Sequence, residues 1–362
     1  MHENFDRQTD RQTDRQTDRQ TDRQTDRFYN IDLIRILACI SVIGLHTYGV
    51  EIEFPNSIVY YLCGFAVPCF FMASGYFLLN RGKVDAKYSI RKIVRLTKVV
   101  ISWNLIYALL KLMLTILKKK IELNFIYEIP IQCIKSLVQK GFLWQFWFLG
   151  ALMIIYSLLP IISKLNERRK TILFSFFAIA CVLAEFISYV MGSPIQKNII
   201  QTFRIWTWLF YFMLGGRIEK MKNLLSKYVS MKVHGILFVI YTILLIVWQV
   251  LVGNSLITES TSNLHAEYFY DSFWKMIWIV IGFSFFLRLN IKARAEKIIK
   301  KMSAVVMGIY IVHPIVISGL KKVIVGCTFL ESSVLFGTTV MISVLIVMVI
   351  KKIPIAKALV EV

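Results

Sequence analysis

The sequence predicts an all-α fold, a polytopic integral membrane protein of about ten transmembrane helices with N- and C-termini cytoplasmic. Three observations predict it. Of the 362 residues, 57% are apolar and only 18% charged, against about 45–50% and about 25% in soluble domains. Apolar runs of about 20 residues, long enough to cross a bilayer, recur from Tyr29 onward. The connections between those runs alternate between rich and poor in Lys and Arg, the asymmetry that fixes orientation in a membrane. Together they exclude a soluble enzyme, a secreted disulfide scaffold and an ordinary DNA-binding protein. The net charge of +21 then reads as loop charge facing anionic lipid headgroups, so membrane lipids are expected partners and nucleic acid is not.

The first element, residues 1–28, is a tail. From Asp6 to Arg27 it repeats Asp-Arg-Gln-Thr five times and then adds Asp26 and Arg27. Lacking apolar residues to bury, the repeat is expected to be disordered, and without an apolar core it is no signal peptide. The codons GAC-AGA-CAG-ACA encode Asp-Arg-Gln-Thr and spell the tetranucleotide GACA three times over. A perfect protein repeat of this kind predicts a DNA tract in which slippage by one unit shifts everything downstream out of frame. The alternative is a plain solvated linker.

Residues 29–352 form the transmembrane domain, followed by a short cytoplasmic tail at 353–362. Ten helices are expected near 30–50, 56–79, 95–117, 142–162, 171–191, 200–216, 234–252, 272–289, 303–322 and 331–350, while a stretch near 125–138 is too short to be another. Connections on one side carry 24 Lys and Arg and those on the other carry 8, which puts both termini inside. The outer loop at 252–271 has Glu259, Glu267 and Asp271 but no Lys or Arg. The six cysteines (39, 63, 69, 133, 181, 327) lie mostly in apolar stretches without a CxxC pair. They read as small apolar side chains, with no metal site expected.

Chemistry concentrates in the first helix, which carries Asp32, Arg35 and His46. At about 100° per residue, the step from Arg35 to His46 is about three turns and returns to one face; Asp32 shares that face. Charge near the bilayer centre costs at least about 2.5 kcal/mol, so this stripe is expected to face the protein interior or a wet cavity. Histidine, with an ordinary pKa near 6.5, suits proton transfer. The bland reading is an interfacial Asp32–Arg35 pair with His46 as a hydrogen-bonded helix contact. Among the other intramembrane charges, Lys111 and Lys275 are expected to snorkel from helix ends. Glu185 and Arg204, on successive helices, are expected to pair, and Arg204 to line a substrate path. His2 and His234 read as solvent or interface residues, and His265, in the acidic outer loop, as a candidate glycan contact.

Arg35 and His46, separated by ten residues in an opening helix, resemble the signature of the membrane-bound acyltransferase 3 family. Three further passages are similar to that family in the right order: Phe70-Phe-Met-Ala-Ser-Gly-Tyr, Phe146-Trp-Phe-Leu-Gly with Tyr156 and Pro160, and Tyr310-Ile-Val-His-Pro. The likeness runs over about residues 28–320 and is nearest to the enzymes that O-acetylate bacterial surface polysaccharides. It implies acyl transfer, usually of acetyl from acetyl-CoA, to a sugar hydroxyl of a cell-envelope glycan at the bacterial inner membrane, with no permanently bound cofactor. Acetyl-CoA and the glycan are the implied partners. Carried onto this chain, His46 would be the general base or would engage the acyl donor, with Arg35 beside it in catalysis and donor binding. Lys92 and Arg95 would meet the polyanionic donor or simply anchor the helix, Lys92 standing where an arginine is more usual. Trp147, Arg204 and His313 are candidates for binding the acceptor. Ser74 is either an acyl-carrying nucleophile or a close-packing residue beside Gly75. The competing function is a transporter or flippase of a glycan intermediate, which would also hold intramembrane charge, but the two halves show none of the repeat symmetry common in carriers.

Overall fold

The computed structural model describes residues 28–49, 54–117, 128–253, 265–354 and 356–360. The repeat tail (1–27), His2 and most of the outer loop expected at 252–271 lie outside the described residues. Among the described residues the secondary structure is helical throughout. The helices are α1 (Tyr29–Thr47), α2 (Phe54–Cys63), α3 (Ala66–Leu79), α4 (Ala86–Leu117), α5 (Ile129–Leu137), α6 (Trp147–Lys164), α7 (Glu167–Val190), α8 (Ile205–Tyr228), α9 (Met231–Val247), α10 (Phe273–Leu287), α11 (Ala293–Ser303), α12 (Val306–Leu320) and α13 (Phe329–Lys352). Short 3₁₀ turns at Trp144–Phe146, Ile195–Asn198, Gln201–Phe203 and Ala266–Phe269 connect several of them.

Each of the ten expected segments falls on a helix. Seven stretches are long and apolar enough to cross a membrane, and α11 with α12, bent by 55°, would make an eighth. The apolar α10 is shorter, and α8 runs from an apolar first half into a basic second half ending at Tyr228. Two boundaries differ from expectation. Helix α4 begins at Ala86 instead of near 95, so Lys92 and Arg95 ride within its first turns. The basic connection at 288–301 contains the amphipathic helix α11. The chain is a multi-pass helical membrane protein.

Burial sorts the bundle into centre and rim. More than half of α1, of Phe54–Leu79 and of Trp144–Lys164 is buried (56%, 61% and 61%), whereas α7, the α9 stretch and α13 each bury 22%. A helix that is apolar all round with one buried stripe meets lipid on its remaining surface. Helix α1 lies at the centre, packed against α2, α3, α10, α11, α12 and α13. Its N-terminal end is tied down by Asn30, whose Nδ2 donates to the Phe286 carbonyl in the last turn of α10 and to the Leu289 carbonyl just beyond it, both at 2.8 Å.

The tightest crossing joins α3 to α8. A Cβ on Gly75 would stand 1.7 Å from the Phe212 carbonyl oxygen, and one on Gly215 would stand 2.0 Å from that of Met72. The two backbones touch there, as small residues permit in membrane helix pairs. Ser74 next to it donates to the Phe70 carbonyl, one turn back in its own helix, at 3.0 Å. This crossing fixes α3 and therefore Val67 and Phe70, which line the cavity described next.

Candidate active site

Helix α1 carries His46 in its last turn. There the ring stacks on His313 of α12, with centroids 5.5 Å apart and planes 16° from parallel, and meets Trp144 edge-on at 5.0 Å. His313 is wholly buried. Its Nδ1 lies 3.2 Å from the Ile309 carbonyl oxygen; a carbonyl only accepts, so the proton sits on Nδ1 and the Nε2 lone pair is left over. That Nε2 has no hydrogen-bond partner among the described residues. His313 is followed by Pro314 inside α12.

His46 opens onto a cavity of about 690 Å³ that Tyr60, Trp144, Gln145, Gln201 and Glu267 also line, a volume in the range of small-molecule sites. Trp147 is on the wall as well, backed by Trp208 at 5.3 Å and Phe148 at 6.3 Å. The opposite wall comes from the segment 265–270. His265 Nδ1 lies 3.4 Å from the Tyr60 hydroxyl, which accepts from the Ala266 N–H at 3.1 Å. Burial pushes the Tyr268 hydroxyl up in pKa, Glu267 reinforcing this and Arg204 opposing it.

Arg204 holds that wall in place and does not line the cavity. Almost fully buried, it donates from Nε to the Ile199 carbonyl (3.1 Å) and from its terminal nitrogens to the Gln196 carbonyl (2.8 Å), the Glu267 carbonyl (3.4 Å) and the Glu267 carboxylate (3.3 Å). The expected Glu185–Arg204 pair is not formed: Glu185 accepts from the Tyr189 hydroxyl and from the Phe273 N–H that opens α10. Nearby, burial raises the Asp271 carboxyl, offset in part by hydrogen bonds from Thr207 and Gln196. A charge this deep needs several partners, and for Arg204 backbone carbonyls supply most of them.

Two further expectations are corrected. Lys275 does not snorkel. It is fully buried, donates to the Tyr61 carbonyl at 3.3 Å and sits 4.3 Å over the Trp278 ring, so it serves the carbonyl end of α2 where the chain breaks before α3. His234 is not a solvent or interface residue. It is buried between the Ile281 carbonyl (3.1 Å) and the Arg288 guanidinium (2.9 Å). Lys111 is exposed, with its ammonium 5.1 Å from the Phe142 ring centre. All six cysteines are free, and no metal-binding group of His, Cys, Asp and Glu occurs among the described residues.

Arg35 stands at the other end of α1, about 16 Å from His46 along the axis, and is not part of the cavity wall. Its guanidinium meets Asp32 at 3.4 Å and is partly exposed. Tyr156 of α6 lies within electrostatic reach of Arg35, Arg81 and Tyr88, and the Lys92 ammonium sits 5.9 Å from the Tyr88 ring centre. Arg35, Arg81 and Lys92 thus gather around two tyrosines, while Arg95 is exposed on α4. The structure brings His46, His313 and Trp147 together at one end of the bundle and Arg35 with Lys92 at the other.

Sequence reading missed Tyr60, Trp144, Gln139, Gln145, Gln201 and Glu267 as wall residues. A signal existed for one of them: Gln145 is the only polar residue in Phe142-Leu-Trp-Gln-Phe-Trp-Phe-Leu149, and an amide placed so deep is costly unless it serves something.

A central helix thus carries His46 to a cavity at one end of the bundle and a partly exposed Arg35 at the other. Compared with known families, the chain matches the acyltransferase 3 family, described as an acyltransferase domain, over residues 28–351. It belongs to that family and is an acyltransferase. No curated protein and no solved structure matches it.

Proposed function

We propose that this chain O-acetylates a cell-surface glycan (lipopolysaccharide, capsule or exopolysaccharide) from the bacterial inner membrane, taking acetyl from acetyl-CoA. The observation that carries the reading is the position of His46: it ends a central helix inside a cavity, where a side chain with only a packing role would be surrounded by protein.

In this reading the basic end of α1 faces the cytoplasm. Arg35, with Lys92 and Arg95 on α4, receives the phosphates of the donor, for which guanidinium groups are well suited. The acetyl thioester reaches the cavity at the outer end. The acceptor hydroxyl attacks the thioester carbonyl carbon as His46 takes its proton; the C–O bond forms, the C–S bond breaks, and the departing thiolate collects the proton. His313 holds the His46 ring by stacking, and Trp147 shapes the wall against which the acceptor lies. Arg204 acts one step back, through the loop it fastens.

Surface glycan is the acceptor the repeat tail also favours. A GACA tract would switch the enzyme on and off between sibling cells, a behaviour suited to decorating an exposed antigen. The test is glycan composition in cells carrying His46→Ala. Loss of O-acetyl with total glycan export unchanged is expected; loss of export would instead make the protein a flippase.

A further inference from the structure

Helix α11 is short, amphipathic and basic, and the proposed reaction makes no use of it. Between Arg288 and Lys301 the chain carries six cations and one acid, Glu296. Arg288 is spent on His234 and on the Val229 carbonyl. Lys292, Arg294, Lys297 and Lys301 are exposed and form no ion pair among the described residues. Arg294, Lys297 and Lys301 stand three and seven residues apart, which at about 100° per residue puts them on one stripe. Ala295, Ile298, Ile299 and Met302 make the neighbouring apolar stripe. Ile299 is buried, whereas Ile298, on the edge nearest the cations, is 59% exposed.

That apolar stripe does not close on the bundle. It borders a groove of about 450 Å³ walled by Leu33 of α1, by Leu289 and Ile291 beyond α10, and by Ala295, Ile298 and Ile299. The polar members of the wall are Asn290 and Lys292, both exposed. An apolar groove edged with unpaired cations matches a molecule that joins a hydrocarbon chain to an anion. The repeat tail of this chain cannot fill the groove, because Asp6–Arg27 has no apolar side chain. A soluble polyanion would use the cations and leave Ile298 in water.

We infer that this groove binds one anionic phospholipid, an acyl chain lying along Leu33, Ala295 and Ile298 and the headgroup phosphate among Lys292, Arg294, Lys297 and Lys301. Loop charge attracts a whole leaflet, whereas this is a single seat with an apolar floor. It is separate from the histidine cavity: Leu33 precedes His46 on α1 by about 20 Å along the axis. The inference therefore stands or falls independently of glycan acetylation. Because α11 packs on α1, the lipid would also steady the turn that carries Asp32 and Arg35.

The experiment is native mass spectrometry of the full chain in neutral detergent. The chain is offered equal amounts of phosphatidylglycerol and phosphatidylcholine with identical acyl chains. One phosphatidylglycerol should be retained per protein, with at least a tenfold preference, since each nearby Lys or Arg is worth about a factor of five. Replacing Lys292, Arg294, Lys297 and Lys301 together by Gln should erase that preference. The same exchange at Lys164, Arg168, Lys227 and Lys232, all exposed elsewhere, should leave it. Ala295→Trp, which fills the groove and keeps every cation, should lose the lipid, with melting curves in lipid-free detergent matching the unmodified chain. Equal retention of the two lipids by the unmodified chain overturns the proposal. So does an equal loss in both fourfold variants, which would reduce the effect to bulk loop charge. Retention by Ala295→Trp would remove the groove as the seat of the chain. Displacement by glycerol 3-phosphate as effective as by lysophosphatidylglycerol would make the site one for a free phosphate, which also overturns it.

Discussion

Replacing Arg204 by Met separates a strut from a substrate contact. The change keeps side-chain length and apolar stem but removes four donations, to the carbonyls of Gln196, Ile199 and Glu267 and to the Glu267 carboxylate. The two shortest, at 2.8 and 3.1 Å, are charge-assisted bonds worth about 1.5–3 kcal/mol each, whereas the two at 3.3 and 3.4 Å are near the limit of useful geometry. Glu267 is partly exposed and can turn to water, so its lost ion pair is discounted. The total is about 3 kcal/mol, which lowers the melting temperature of the detergent-purified protein by about 5 °C or more. Arg204→Lys, a point charge that cannot span three carbonyls, should recover less than half of this. The assay is a melting curve beside glycan acetylation normalised to folded protein. Activity per folded molecule should fall modestly. An unchanged melting temperature with abolished acetylation would refute the argument and put Arg204 in contact with the acceptor.

Other expectations are quickly checked. Gly75→Ala places a Cβ 1.7 Å from a backbone oxygen that cannot move aside, so inserted protein measured by immunoblot should collapse; normal abundance would mean that α3 and α8 are farther apart. Reporters fused after Val362 and within 252–271 should read cytoplasm and exterior respectively, as the 24-to-8 loop charge implies; the opposite result for either breaks the ten-span arrangement. Sequencing the repeat from many single colonies should reveal in-frame alleles differing by whole Asp-Arg-Gln-Thr units and out-of-frame alleles truncated soon after. A constant tract of mixed synonymous codons would return the tail to an inert linker.

How much of this was legible in the sequence follows from where each signal lives. Hydropathy put each expected segment on a helix because burial in lipid demands apolar runs, and seven of these stretches, eight with the bent pair, are long and apolar enough to span; the 11-residue step from Arg35 to His46 is a property of one helix. The Gly75 contact was half visible, since small residues announce close packing but not their partner. Partners across the bundle were not legible. Glu185 and Arg204 are near in sequence and opposite in charge, yet Arg204 went to carbonyls and Glu185 to a tyrosine and a helix N-terminus. Lys275 looked like a helix-end cation because its position is near Phe273; what buries it is the break between α2 and α3, more than 200 residues away. The cavity wall combines 3₁₀ turns and loop glutamines with no periodicity to betray them.

The central claim is acetyl transfer that depends on proton acceptance by His46. Its most direct measurement follows labelled acetyl from acetyl-CoA into isolated envelope glycan, using the purified full chain in proteoliposomes and His46→Gln at matched amounts. Glutamine keeps hydrogen-bonding capacity but has no titrating nitrogen. The account predicts steady incorporation by the unmodified chain and none above background by the variant, with equal melting temperatures. Incorporation by His46→Gln at a comparable rate would contradict it and leave His46 as a packing residue.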